Sequence, residues 1–139
     1  SAIKFESLSE VVVVSASESN IHLILKKGSA KCNVKSLPTG SRFWIETPLG
    51  IVKVRELNAS QFMVQISKDK DGKMICSVSS RVGTLDVLSK AFSSTVTLYE
   101  NQTLEIHESG YAPSPRQNTP QEDEAMTKLS SIYIVPKPD

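Results

Sequence analysis

Apolar and polar residues alternate along most of this chain. Ile21, Leu23 and Leu25 are separated by His22 and Ile24, and Ala30, Cys32 and Val34 by Lys31 and Asn33. The same rhythm returns at Phe62, Val64 and Ile66, then at Met74, Cys76 and Val78. Leu85 with Val87, Val96 with Leu98, and Leu104 with Ile106 repeat it further on. A period of two puts successive side chains on opposite faces of a strand, so each segment predicts a strand with one buried face. Val11 to Val14 is a β-branched run, and Arg42–Thr47 and Ile51–Arg55 add two strands joined tightly through Pro48-Leu49-Gly50. In that connection Pro48 presets φ, and Gly50 is expected to supply a positive φ. Lys26-Lys27-Gly28 and Leu37-Pro38-Thr39-Gly40 read as turns, and Asp69-Lys70-Asp71-Gly72 as a hairpin turn. Strand signals recurring about every ten residues predict an all-β fold, a two-sheet antiparallel β-sandwich or roll of about nine to ten strands.

From Ser109 the texture changes. Tyr111 to Pro120 is proline-rich and polar, which predicts an extended linker. Thr119 is placed to cap a short helix from Pro120, with Glu122, Asp123 and Glu124 forming a solvated acidic first turn. Ile132 to Val135 predicts one more strand, closed by Pro136 and Pro138. The organisation is therefore a β domain over 1–108 and an extension over 109–139 of linker, helix and terminal strand. Whether that strand rejoins the sheet or waits for a partner stays open in the sequence.

At 139 residues, length favours one core. Sixteen basic against fifteen acidic residues give a formal charge of +1, which supplies no field for nucleic acid. The longest apolar run has four residues, far short of a membrane helix, so no direct membrane insertion is expected of this segment. The chain starts at Ser1 without an initiator Met or a secretory leader, so an export signal or anchor removed from the gene product is compatible with it.

Chemistry is hard to assemble from these residues. His22 and His107 stand apart and read as surface or edge histidines, whereas a metal site needs three or four ligands. Asp69-x-Asp71-Gly72 has Val78 where a calcium loop needs its bidentate Glu. Asn58-Ala59-Ser60 and Asn101-Gln102-Thr103 fit glycosylation sequons, and both read as accidental. No Gly-x-Ser-x-Gly elbow or phosphate-cradling glycine loop occurs, so no catalytic residue, cofactor or metal is expected. Cys32 and Cys76 read as two separate buried thiols in preference to a disulfide. Trp44 points opposite to Phe43 and Ile45. If those two fill the core, Trp44 is either a partner anchor on the outer face or lies beneath a second layer, such as the C-terminal segment.

The segment 25–106, about 60% of the chain, carries a series of motifs in a set order. Leu25-Lys26-Lys27-Gly28 is followed by Thr47-Pro48-Leu49-Gly50 with Val54-Arg55, and then by Phe62-Met63-Val64. Val82-Gly83-Thr84-Leu85-Asp86-Val87 and Val96-Thr97-Leu98 with Gln102 complete the series. In order and spacing it resembles the FecR domain of bacterial cell envelopes. The chain departs from that pattern at Glu56 to Gln61, where the family places Gly-Thr, and at Asn101, where it places glycine. The resemblance implies a periplasmic or envelope-exported location and a non-enzymatic module that binds an envelope protein, for signalling or structure. Trp44, Tyr99 and Tyr133 are then the candidate partner contacts. The alternative is an envelope glycan-binding module, with outward aromatics such as Trp44 and Tyr99 stacking on sugar rings.

Overall fold

The computed structural model describes residues 2–6, 9–17, 19–34, 39–55, 59–90, 93–110, 114–127 and 132–134. The chain builds β1 (Ala2–Phe5), β2 (Glu10–Ala16), β3 (Asn20–Val34), β4 (Arg42–Glu46), β5 (Gly50–Val54) and β6 (Ser60–Lys68). Then come β7 (Met74–Val82), β8 (Leu85–Ser89), β9 (Ser94–Leu98), β10 (Gln102–His107), β11 (Arg116–Gln117), α1 (Pro120–Thr127) and β12 (Ile132–Ile134). The all-β expectation with one short helix holds. Among the described residues there are twelve strands rather than nine or ten.

β3 organises everything else. Lys26-Lys27-Gly28 does not end a strand as expected; β3 runs through it for 15 residues and passes from one layer to the other. Its first half pairs with β2 on one side and β4 on the other, and its second half with β1 and β6. Gly28 is the bending point. Its φ is +91, and a Cβ there would lie 2.6 Å from Ser9 Cα, so both the conformation and the close approach require glycine. Opposite the bend, Glu6 and Ser9 bond to β3 outside the strand ladders. There Glu6 N donates to Ser29 O (3.1 Å) and Ser29 N donates to Ser9 Oγ (3.0 Å).

One layer therefore reads β12-β1-β3-β6-β7-β10-β11 and the other β2-β3-β4-β5-β8-β9. The pairing is not wholly antiparallel, because β4 lies parallel to β3, with Ile21 opposite Phe43 and Leu23 opposite Ile45. The strand before β4 bends away into the other layer, so β4 enters beside β3 in the same direction.

The layers meet over a shared apolar core. Phe43 and Phe62 touch edge-to-face, with ring centroids 5.7 Å apart. Leu23, Ile45, Val52 and Val87 form a buried row in one layer, and Ala30, Val64, Val78 and Leu104 one in the other. At the β4–β5 turn, Gly50 does not take a positive φ as expected. Its need for glycine is steric, since a Cβ would come within 2.8 Å of Ile106 Cδ1 across the core and of Leu88 O. The turn itself is organised by Thr47, whose hydroxyl donates to Gly50 O (2.8 Å) and accepts from Gly50 N (3.0 Å).

Candidate protein-interaction face

The C-terminal extension closes one layer. Arg116 and Gln117 pair with β10 as β11, within the stretch expected to be an extended linker. α1 then lies against β6 and β7, burying Met126, and Gln61 Nε2 donates to Met126 O (3.2 Å). β12 reaches the opposite edge and pairs with β1, which answers the open question of the terminal strand. The described parts of the extension thus lie at both edges of this layer and against β6 and β7 between them.

Polar contacts fix it in place. Arg116 holds Glu122 through two hydrogen bonds (2.8 and 2.9 Å) and Glu105 through a third (2.8 Å). Thr119 caps α1 as expected: Glu122 N donates to Thr119 Oγ1 (3.2 Å), and Thr119 N donates to Glu122 Oε1 (2.8 Å). Glu122 is therefore not part of a solvated turn. The hydrogen bonds from Arg116 hold its carboxyl down at about 2, against the opposing effect of burial.

Among the described residues no helix or strand packs on the outer face of the second layer, and its two edge strands, β2 and β9, are each paired on one side only. Its outward row runs Ser15, His22, Trp44, Lys53, Asp86, Thr97 across six strands. Phe43 and Ile45 are buried, so Trp44 faces outward, and the described parts of the C-terminal segment lie on the other layer. Trp44 is half-buried, with its ring 4.7 Å from that of His22. Arg55 ties Asp86 (2.8 Å) to Thr97 (3.0 Å) further along the row.

Of these two edges, β2 is the one that carries the exposed valines. Among the described residues no strand pairs with its free side, although β12 covers the adjoining β1. Val13 begins the inward row that continues through Leu23, Ile45, Val52 and Val87, yet it is 46% exposed because the row stops at β2. Val12 and Val14 are 40% and 53% exposed, and Val14 is an extra residue bulged out between Val13 and Ser15. An isolated Val run suggested only a strand; its edge position required knowing which strands pair.

The three expected contact residues do not gather. Tyr99, 57% exposed, follows β9 on the same layer as Trp44 but three strands away, roughly 14 Å at ordinary strand spacing. Tyr133 lies on β12 with its backbone opposite Lys4, in the other layer.

The remaining candidates have local employments. His107, far from a free surface histidine, is half-buried with Nε2 3.1 Å from Glu105 Oε1. Asp69 Oδ1 accepts from Asp71 N (2.8 Å) and Lys73 N (2.9 Å), which makes the loop a hairpin turn as expected. Asn58 and Tyr111 lie outside the described residues. Cys32 and Cys76 are both free and buried. Cys32 sits opposite Phe62 and Cys76 opposite Ile66, with β6 between them. Strand spacing puts their Cα atoms roughly 15 Å apart, beyond any disulfide. Burial pushes both thiols up, Cys76 to about 11, so neither is a nucleophile at neutral pH.

No family model and no curated protein sequence matches the chain. Its fold, however, has crystallised counterparts. Two structures of provisionally named anti-sigma factors from Parabacteroides distasonis ATCC 8503 superpose with TM-scores of 0.62 and 0.61, at 18% and 20% identity. They cover 90% and 88% of this chain, which spans 63% and 59% of their own length. Coverage of 90% necessarily takes in part of the C-terminal extension as well as the segment 25–106. Asn101, where the FecR pattern has glycine, has φ 65, a conformation that glycine and asparagine tolerate best. No helix among the described residues is long and apolar enough to cross a membrane.

Proposed function

We propose that this chain is a non-enzymatic recognition module of a bacterial cell-envelope assembly, signalling or structural, that binds another protein by accepting an extended strand at β2. The observation that carries this reading is the asymmetry of one continuous edge. The chain's own β12 covers β1, while β2 next to it keeps unpaired backbone groups and three exposed valines. Edges of this kind are normally blunted by charge or cover, and strand addition is a recurrent mode of peptide recognition. A partner strand would satisfy the backbone groups and cover Val13, extending the core row by one position.

The fold shared with two anti-sigma factors and the FecR-like motif order support a regulatory envelope role. Buried, protonated thiols and carboxylates engaged in holding the extension support binding rather than catalysis. The test places a photo-cross-linking residue at position 12 or 14 of the full gene product in the producing bacterium. A discrete adduct to one envelope protein is expected from these positions and not from position 70 on the β6–β7 hairpin. Equal adducts from position 70, or none from β2, would overturn the reading.

A further inference from the structure

A cavity of about 330 Å³ opens where β4 begins and β5 ends, lined by Ser41, Arg42, Phe43, Trp44, Lys53 and Val54. It lies on the open layer, two strands in from β2. Its chemistry is lopsided. Lys53 stands opposite Trp44 and Arg42 two residues before it, so both cations flank the indole on one face as diagonal neighbours. Such neighbours are roughly 7–8 Å apart, within joint reach of one small anion for side chains this long.

Among the described residues neither cation has an ion pair or side-chain hydrogen bond, although other charges on this layer do. Arg55 is bound to Asp86, and Lys90 to Glu46. Ser41 Oγ, also in the lining, is buried without a hydrogen-bond partner among the described residues. A lysine and an arginine without partners among the described residues, an orphaned hydroxyl and a flat aromatic wall give this cavity the means to hold an anion. The planar guanidinium suits a carboxylate, and Trp44 supplies apolar contact to the carbon chain that carries it.

We infer that this cavity receives the side-chain carboxylate of an acidic segment in a protein partner. This deepens the protein-binding reading and is independent of strand addition at β2. A protein source is favoured over an acidic saccharide because Tyr99, the exposed tyrosine of this layer among the described residues, lies three strands from Trp44 and so does not join it as a stacking platform beside the cavity.

Trp44 is the only tryptophan in the chain, so its emission reports directly on the site. The 139-residue chain is titrated with an acetyl-capped peptide of alternating glutamate and glycine, with its glutamine counterpart and with an oligogalacturonate. The expected result is a saturable change in Trp44 emission with the glutamate peptide alone. It should weaken at least tenfold in an Arg42→Gln/Lys53→Gln variant whose circular dichroism is unchanged, and at least severalfold in 0.5 M salt. Val13→Lys, which disables the β2 edge, should leave this titration as it was, so the two readings fail separately. No response to the glutamate peptide, an equal response to the glutamine peptide, or a response that survives loss of both cations would overturn the inference. A response to the saccharide alone would also overturn it and assign the cavity to a glycan.

Discussion

Arg116 and Glu122 are joined by two parallel hydrogen bonds, Nη1 to Oε1 at 2.8 Å and Nη2 to Oε2 at 2.9 Å, and this pair locks the start of α1 to β11. Glu122 also completes the helix cap, so it serves the extension twice. Its removal by Glu122→Ala is expected to cost about 2 kcal/mol, a value moderated because the Arg116 side chain is 40% exposed. Thermal unfolding followed by circular dichroism measures it, and Gln121→Ala serves as the exposed control.

The same pair sets an acid limit. Glu122 titrates at about 2 in the folded chain against an ordinary 4.5, mainly through its hydrogen bonds to Arg116, and the Arg116 hydrogen bond lowers Glu105 too. A carboxyl depressed by folding adds stability that is complete above its unfolded pKa and is lost as pH falls towards the folded one. Stability should therefore decline between about pH 5 and pH 2, and Glu122→Gln should flatten that decline while lowering stability at pH 7. An unchanged slope in the variant would show that other carboxyls control the acid response.

At the β4–β5 turn the prediction is steric. A Cβ on Gly50 would meet the backbone oxygen of Leu88 as well as Ile106, and backbone cannot move aside cheaply. Gly50→Ala is expected to cost about 1–3 kcal/mol, a fall of several degrees in Tm. Gly72→Asn, at a turn where nothing lies within 4 Å and asparagine tolerates the positive φ, should cost less than about 1 kcal/mol. Equal losses at the two sites would refute the close-packing explanation.

These glycines show how far the sequence could be read. Period-two alternation identified nearly every core strand, because burial of one face is written into each strand locally. Thr119 before Pro120 announced the helix cap, while the part that Glu122 takes in it was missed. Strand partnership was not legible, since pairing depends on residues far apart in the chain. Hence Gly28 read as a turn when it is a bend within β3, and the Gly50 contact with Ile106 could not be foreseen. The edge position of Val12 to Val14 was hidden for the same reason. The pairing of Trp44 with His22 across a parallel ladder had no local signal at all.

The cysteines give a prediction with a sharp readout. Cys32 and Cys76 are buried, raised in pKa by burial and separated by β6. A thiol-reactive probe should therefore label neither residue in the folded chain at pH 7, and both in denaturant without reductant. Only zero labelling in denaturant would require a disulfide, and with it a different arrangement of β3, β6 and β7.

The last prediction concerns β2 in the isolated chain. Without a partner, its free side presents unpaired backbone and the partly exposed Val13 to any second copy, a recognised route to edge-to-edge association. The Val14 bulge limits how regular such a pairing can be, so association should be weak and concentration-dependent. Val13→Lys puts a charge at the rim of the inward row, which natural edge strands use to repel pairing. Because Val13 is already 46% exposed, the change should cost no more than about 1 kcal/mol of stability. Light scattering across a concentration series should show the parent chain gaining apparent mass while Val13→Lys stays monomeric. A Val82→Lys change, at a site 38% exposed on β7, a strand paired on both sides, should leave the parent behaviour intact. Should Val82→Lys suppress association as strongly as Val13→Lys, the effect would belong to net charge rather than to the β2 edge.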